Sequence, residues 1–166
     1  MTSVVVFDYG FGNVRSMVRA LANLGLDTTL TSDYRQALEA DGMVVPGVGA
    51  FTACMTGLRE VSGDRVILDR LRAGRPVLGV CVGEQIMFER GNEHADTTEG
   101  LGLIGGTVDL LDGRGAVRFR AARRRGERTV LLRALLRGDE RHREGSERRA
   151  GRSGRRRAYH VVHVWP

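Results

Sequence analysis

Pro76-Val77-Leu78-Gly79-Val80-Cys81-Val82-Gly83-Glu84-Gln85 is the stretch on which the fold turns. An apolar run from Pro76 to Val80 reads as a buried strand. It ends in Gly79-Val80-Cys81-Val82-Gly83, and the residues from Gly83 to Glu89 read as a helix. A G-x-C-x-G pattern between strand and helix is the cysteine form of a nucleophile elbow. The sharp turn needs small residues on both sides because neighbouring backbone approaches closely. A helix starting there aims its first N–H groups and positive dipole end at the sulfur, which favours the thiolate. The competing reading is a buried structural cysteine between accidental glycines.

Upstream, the same strand-then-helix rhythm repeats. Ser3 to Phe7 is a β-branched strand, and Asn13 opens a helix whose Val14, Met17, Val18, Leu21 and Leu24 share one face, closed by Gly25. Asp27 to Thr31 is a second strand, Asp33 caps a helix through Ala40, and Met43 to Val45 is a third strand. Helical stretches follow from Phe51 and from Asp64 to Leu71. Alternating strands and helices predict a parallel α/β sheet covered on both faces. The third strand runs into Pro46-Gly47-Val48-Gly49, a Gly-rich loop able to aim backbone N–H groups at an oxyanion. In an open sheet that loop and Cys81 would share the carboxyl edge, where ligands bind.

The 166 residues fit one domain, and no apolar run approaches the roughly 20 residues of a membrane span. Two cysteines are no disulfide framework, so Cys54 and Cys81 are expected as thiols, Cys54 as a helix-packing residue. Nothing near Met1 reads as a signal peptide, which makes a cytoplasmic location the expectation. The net charge of +6 divides unevenly: residues 1–111 carry net −5 and residues 112–166 net +11, every basic side chain being Arg. From Asp112 onward Arg, Gly, Ala and Glu dominate, the apolar period is lost until Val161, and the segment reads as non-globular apart from a short helix at Val130 to Leu136.

Gly47-Val48-Gly49-Ala50-Phe51 and the Pro76 to Gln85 stretch resemble the oxyanion and nucleophile motifs of class I (triad) glutamine amidotransferases. Asp8-Tyr9-Gly10-Phe11-Gly12-Asn13, with Ser16 and Ala20 to Gly25, is similar to the branch that serves histidine biosynthesis, the glutaminase subunits of imidazole glycerol phosphate synthase. Gly100 to Gly106 resembles the stretch after that branch's nucleophile helix. The resemblance covers about residues 1–111. It implies a three-layer, flavodoxin-like fold lacking the later part of the sheet, and hydrolysis of L-glutamine to glutamate and ammonia. The ammonia would pass to a cyclase subunit in a heterodimer. By the same resemblance Cys81 would form a thioester, Gly47, Val48, Gly49 and Val82 would hold the oxyanion, and Gln85 would help hold glutamine. No metal or cofactor is expected.

The family's His-Pro-Glu motif is absent from this sequence. Four histidines are present. His94 falls in a polar loop and His142 in an Arg run, whereas His160 and His163 lie in a terminal strand pattern and are the candidate bases. Residues 112–166 are expected to be an out-of-frame reading of a GC-rich gene, a diverged tail or a disordered basic one. The alternatives to an active glutaminase are a catalytically impaired binding subunit and an Arg-rich nucleic-acid-binding protein. The acidic front half argues against nucleic-acid binding as the function, since phosphate contacts need clustered positive charge.

Overall fold

The computed structural model describes residues 1–93, 96–110, 117–121 and 161–164. The chain runs β1 (Ser3–Phe7), α1 (Val14–Asn23), β2 (Asp27–Thr31), α2 (Tyr34–Glu39), β3 (Gly42–Gly47), α3 (Phe51–Glu60), α4 (Gly63–Arg72) and β4 (Val77–Cys81). It continues through α5 (Val82–Gln85), β5 (Phe88–Glu93), β6 (Asp96–Glu99), β7 (Ile104–Leu110), β8 (Val117–Ala121) and β9 (Val161–Val164). One sheet has the order β2-β1-β3-β4-β9, with β9 antiparallel to β4 and the other pairs parallel. The other has the order β6-β5-β7-β8, in which β5 and β7 are parallel.

The strand period of two sorts β1 between two layers. Val4 and Val6 join Val44 and Val80 beneath the apolar stripe of α1, formed by Val14, Met17, Val18 and Leu21. Val5 and Phe7 face the opposite way, with Met43, Val45 and Val77, into the larger core under α2, α3 and α4. This is the predicted α/β sheet with helices on both faces. Local signals start and stop the helices as expected. The Asn13 side chain accepts from Ser16 N–H at 3.4 Å and Asp33 from Gln36 N–H at 2.8 Å. At the end of α1, Gly25 N–H bonds Ala22 O and Leu26 N–H bonds Leu21 O, the paired bonds of a Schellman cap.

Several expectations fail. The helix predicted from Gly83 to Glu89 stops at Gln85, and Phe88–Glu93 is a strand. The carbonyls that follow α5 are taken by the chain ten or more residues on. Ile86 O accepts from Leu101, Met87 O from Leu103 and Ile104, Phe88 O from Gly102, and Glu89 O from Gly100. A second sheet therefore begins where a helix was read, and Phe88, Ile104 and Val108 extend the larger core. The polar loop expected at His94 is flanked by strand, with Asn92 and Glu93 in β5 and Asp96 in β6; His94, His142 and Val130 to Leu136 lie outside the described residues. Within the Arg-rich segment, Val117–Ala121 pairs with β7 and Val161–Val164 with β4.

A buried arginine ties the far end of this scaffold. Arg70 of α4 donates to Ala37 O at 2.5 Å, Ala40 O at 2.9 Å and Pro76 O at 3.0 Å. It thereby satisfies carbonyls at the end of α2 and just before β4. Burial lowers its guanidinium to about 10, so the group stays charged at neutral pH. Among the described residues no helix is long and apolar enough to cross a membrane.

Candidate active site

β4 delivers Cys81 to the carboxyl edge of the parallel sheet, and α5 starts at the next residue. Cys81 has φ 58° and ψ −123°, one of two non-glycine residues with positive φ among those described. Such a conformation is strained by about 1–3 kcal/mol and persists only where its surroundings impose it. The surroundings here are backbone. Gly47 is the register partner of Cys81, and a Cβ on Gly47 would lie 2.2 Å from Gly83 N. A Cβ on Gly83 would lie 2.0 Å from Val45 O, so β3 packs directly on the elbow with no room for a side chain. Gly79 is similarly closed, its Cβ position lying 2.7 Å from Glu84 Cα. The sulfur-bearing residue is partly buried and touches both core layers, as befits a position at the sheet edge.

The end of β3, which was read as the start of the Gly-rich loop, lies against this elbow, and it and the loop that follows are held at several points. The Tyr9 hydroxyl donates to Pro46 O, and the Cys54 thiol of α3 donates to Val48 O at 3.3 Å. Phe51 N–H, the first of α3, donates to the Glu93 carboxylate at 2.9 Å, which anchors the loop's far end to β5. Gly49 adopts φ 89°, and the Val48 side chain is 49% exposed. Val82, Glu84 and Gln85 of α5 are buried.

The structure thus brings together Gly47, Val48, Gly49, Cys81, Val82 and Gln85. It does not bring His163 to the elbow along the strand. Register places His163 opposite Leu78, three residues before Cys81, or about 10 Å along the strand at the usual rise. His160 lies outside the described residues. Among the described residues no group of three or more His, Cys, Asp or Glu is placed to hold a metal ion.

Sequence reasoning missed four residues of this neighbourhood as contributors to the site: Tyr9, Cys54, Glu84 and Glu93. Tyr9 stood inside the quoted Asp8 to Asn13 stretch, but nothing local says that its hydroxyl reaches residue 46. Cys54 packs in the core as expected and also binds the loop. Burial pushes the Cys54 thiol up to about 11, and burial followed by the nearby Cys54 and Cys81 raises the Tyr9 phenol. Glu84 is 4% exposed with Oε2 unpartnered, and desolvation lifts its carboxyl to about 7.

An α/β domain that presents a strained elbow cysteine beside a glycine-rich loop, both at the carboxyl edge of a parallel sheet, has the layout of a thiol acyl-transfer site. Residues 5–139 match the family model described as glutamine amidotransferase class-I, and the chain belongs to that family. Curated relatives named imidazole glycerol phosphate synthase subunit HisH are similar to it. The Bifidobacterium longum protein is 80% identical over 112 residues, 68% of this chain and 52% of that protein. The Thermobifida fusca protein is 62% identical over 109 residues, 66% of this chain and 52% of that one. The Streptomyces avermitilis protein is 60% identical over 109 residues, covering 66% and 51%. The branch named is the one that the Asp8 to Asn13 opening resembles. The chain spans about half the length of the curated relatives it matches. A crystal structure of a glutamine amidotransferase has the same fold, with TM-score 0.56 and 21% identity over 66% of this chain and 58% of that one.

Proposed function

We propose that this chain is the glutaminase subunit of an imidazole glycerol phosphate synthase, acting in the cytoplasm as a heterodimer with a cyclase subunit. The observation that carries the reading is the backbone of Cys81, driven to positive φ and pinned by the Gly47 and Gly83 contact. In that role the Cys81 thiolate attacks the side-chain amide carbon of L-glutamine. The oxygen becomes an oxyanion, met by N–H groups of the Gly47-Val48-Gly49 loop and of Val82. The C–N bond then breaks, the nitrogen takes a proton and leaves as ammonia, and a γ-glutamyl thioester remains on Cys81. Water hydrolyses the thioester to glutamate and restores the thiol. Gln85, buried beside the elbow, is assigned to hold the substrate's backbone end. The ammonia serves the cyclase.

The leaving nitrogen needs a proton donor, and His160 is the candidate we favour over His163. With β9 antiparallel to β4, the register sets His163 opposite Leu78, about 10 Å back along the strand from Cys81. A second reading, a subunit that docks on the cyclase without turnover, is favoured by the register that sets His163 opposite Leu78 rather than Cys81. One experiment separates the two. Glutamate release is measured from the purified chain with a cyclase subunit and its substrate, beside Cys81→Ala. Turnover abolished by the substitution supports the glutaminase reading. Complex formation without turnover in the wild-type chain refutes it in favour of the docking subunit. On either reading the amidotransferase domain is built on residues 1–111, and the Arg-rich residues 112–166 add β8 and β9 to its sheets.

A further inference from the structure

A glycine-rich loop can aim its N–H groups at an oxyanion only if its peptide planes are prevented from turning. Each peptide unit is planar and trans, so whatever holds a carbonyl also sets the direction of the next residue's N–H, which points the opposite way. Two carbonyls of the loop are held in this manner. The Tyr9 hydroxyl holds Pro46 O, which orients Gly47 N–H, and the Cys54 thiol holds Val48 O, which orients Gly49 N–H. The two donors arrive from different elements, Tyr9 just after β1 and Cys54 from the first turn of α3.

We propose that Tyr9 and Cys54 form a two-donor clamp that sets the directions of the Gly47 and Gly49 N–H groups, and so are positioning residues for the oxyanion loop. The proposal rests on the glutaminase reading for its catalytic consequence, though not for its geometry. Both side chains are almost wholly buried, so water does not compete for the held carbonyls. Both donors must be protonated to donate, and the buried environment keeps them so: the Cys54 thiol is raised to about 11 and the Tyr9 phenol is raised as well. The Tyr9 ring is itself fixed between Phe7 and Phe11, at centroid distances of 6.5 and 5.9 Å. The close fit of Gly12 against Pro46 leaves the first of the clamped planes little alternative room.

The test uses the full chain labelled with ¹⁵N-glycine, in wild type, Tyr9→Phe, Cys54→Ala and Cys54→Ser. The clamp predicts that Tyr9→Phe moves the Gly47 amide resonance and Cys54→Ala that of Gly49, while remote Gly25 and Gly74 stay in place. Cys54→Ser, whose hydroxyl also donates, is expected to return Gly49 toward its wild-type position. Unmoved Gly47 and Gly49 resonances overturn the clamp, and so does a shift spread over all four glycines, the signature of general loosening. Turnover with the cyclase subunit is the second readout. An oxyanion exists only in the transition state, so Tyr9→Phe and Cys54→Ala are expected to lower kcat by about tenfold or more with KM within roughly twofold. Wild-type kcat in both variants, with an active wild type, refutes the catalytic role. An inactive wild-type complex instead refutes the glutaminase reading, and the glycine resonances still decide the clamp.

Discussion

Replacing Gly83 with Ala sets two structural effects of opposite sign against each other. Gly83 lies inside α5 without a positive φ, so backbone preference alone makes Gly83→Ala stabilising by up to about 1 kcal/mol. The contact says otherwise. The new Cβ would stand 2.0 Å from Val45 O and 2.8 Å from Pro46 C, against an ordinary contact that begins at 3.4 Å. Backbone, not a flexible side-chain end, must therefore move by roughly 1.4 Å, and overpacking of that kind costs about 1–3 kcal/mol, with the upper end expected here. In a chain of this size that corresponds to a fall in Tm of roughly 10 °C. Thermal unfolding followed by circular dichroism measures it. Gly74→Ala is the control, since Gly74 has φ 72° and open space around its Cβ position, leaving only the left-handed penalty of about 1–2 kcal/mol. A Gly83→Ala chain that melts at or above the wild-type temperature would refute the argument that β3 and the elbow are in backbone contact.

The buried Glu84 predicts a pH dependence. With its carboxyl raised from 4.5 to about 7, the folded state holds the proton more tightly than the unfolded one. Its contribution is complete below about pH 4.5 and is lost as pH rises through 7, a change of about 1–3 kcal/mol, the lower figure if water screens the group. Urea unfolding at several pH values should show that decline in wild type and a flatter profile in Glu84→Gln; parallel profiles would count against it. Arg70→Met should destabilise by about 3 kcal/mol or more, because the carbonyls of Ala37, Ala40 and Pro76 lose a buried donor. Arg70→Lys should recover only part, since one ammonium cannot span what a planar fork reaches. Denaturant midpoints check the order wild type, Lys, Met, and a Met variant as stable as wild type would remove Arg70 from the scaffold.

Most of the first sheet was legible because its signals are local. β-branched runs, an Asn13 or Asp33 cap and a closing Gly25 act within a few residues, and the strand period alone assigns Val4 and Val6 to one face and Val5 and Phe7 to the other. The elbow was legible too, because a strand-to-helix turn this tight restricts the residue types on both sides of Cys81. The second sheet was not. Ile86, Met87 and Phe88 form an apolar run compatible with a helix, and only pairing with β6 and β7 makes Phe88–Glu93 a strand.

The amino-acid sequence by itself therefore determined the parallel core, the cysteine elbow and the glycine-rich loop, all of which follow from residue types within a short window. Only the tertiary structure decided how that loop is held. Tyr9, Pro46, Val48, Cys54 and Glu93 are scattered over more than eighty residues, and no local rule says which hydroxyl, thiol or carboxylate will meet which peptide group. Glu84 makes the same point. Its composition reads as a polar helix residue, whereas packing against β3 and β4 removes it from water and changes its chemistry. Hydrogen bonds and desolvation act between groups that are near in space, and nearness across a sheet is set by the packing of whole elements.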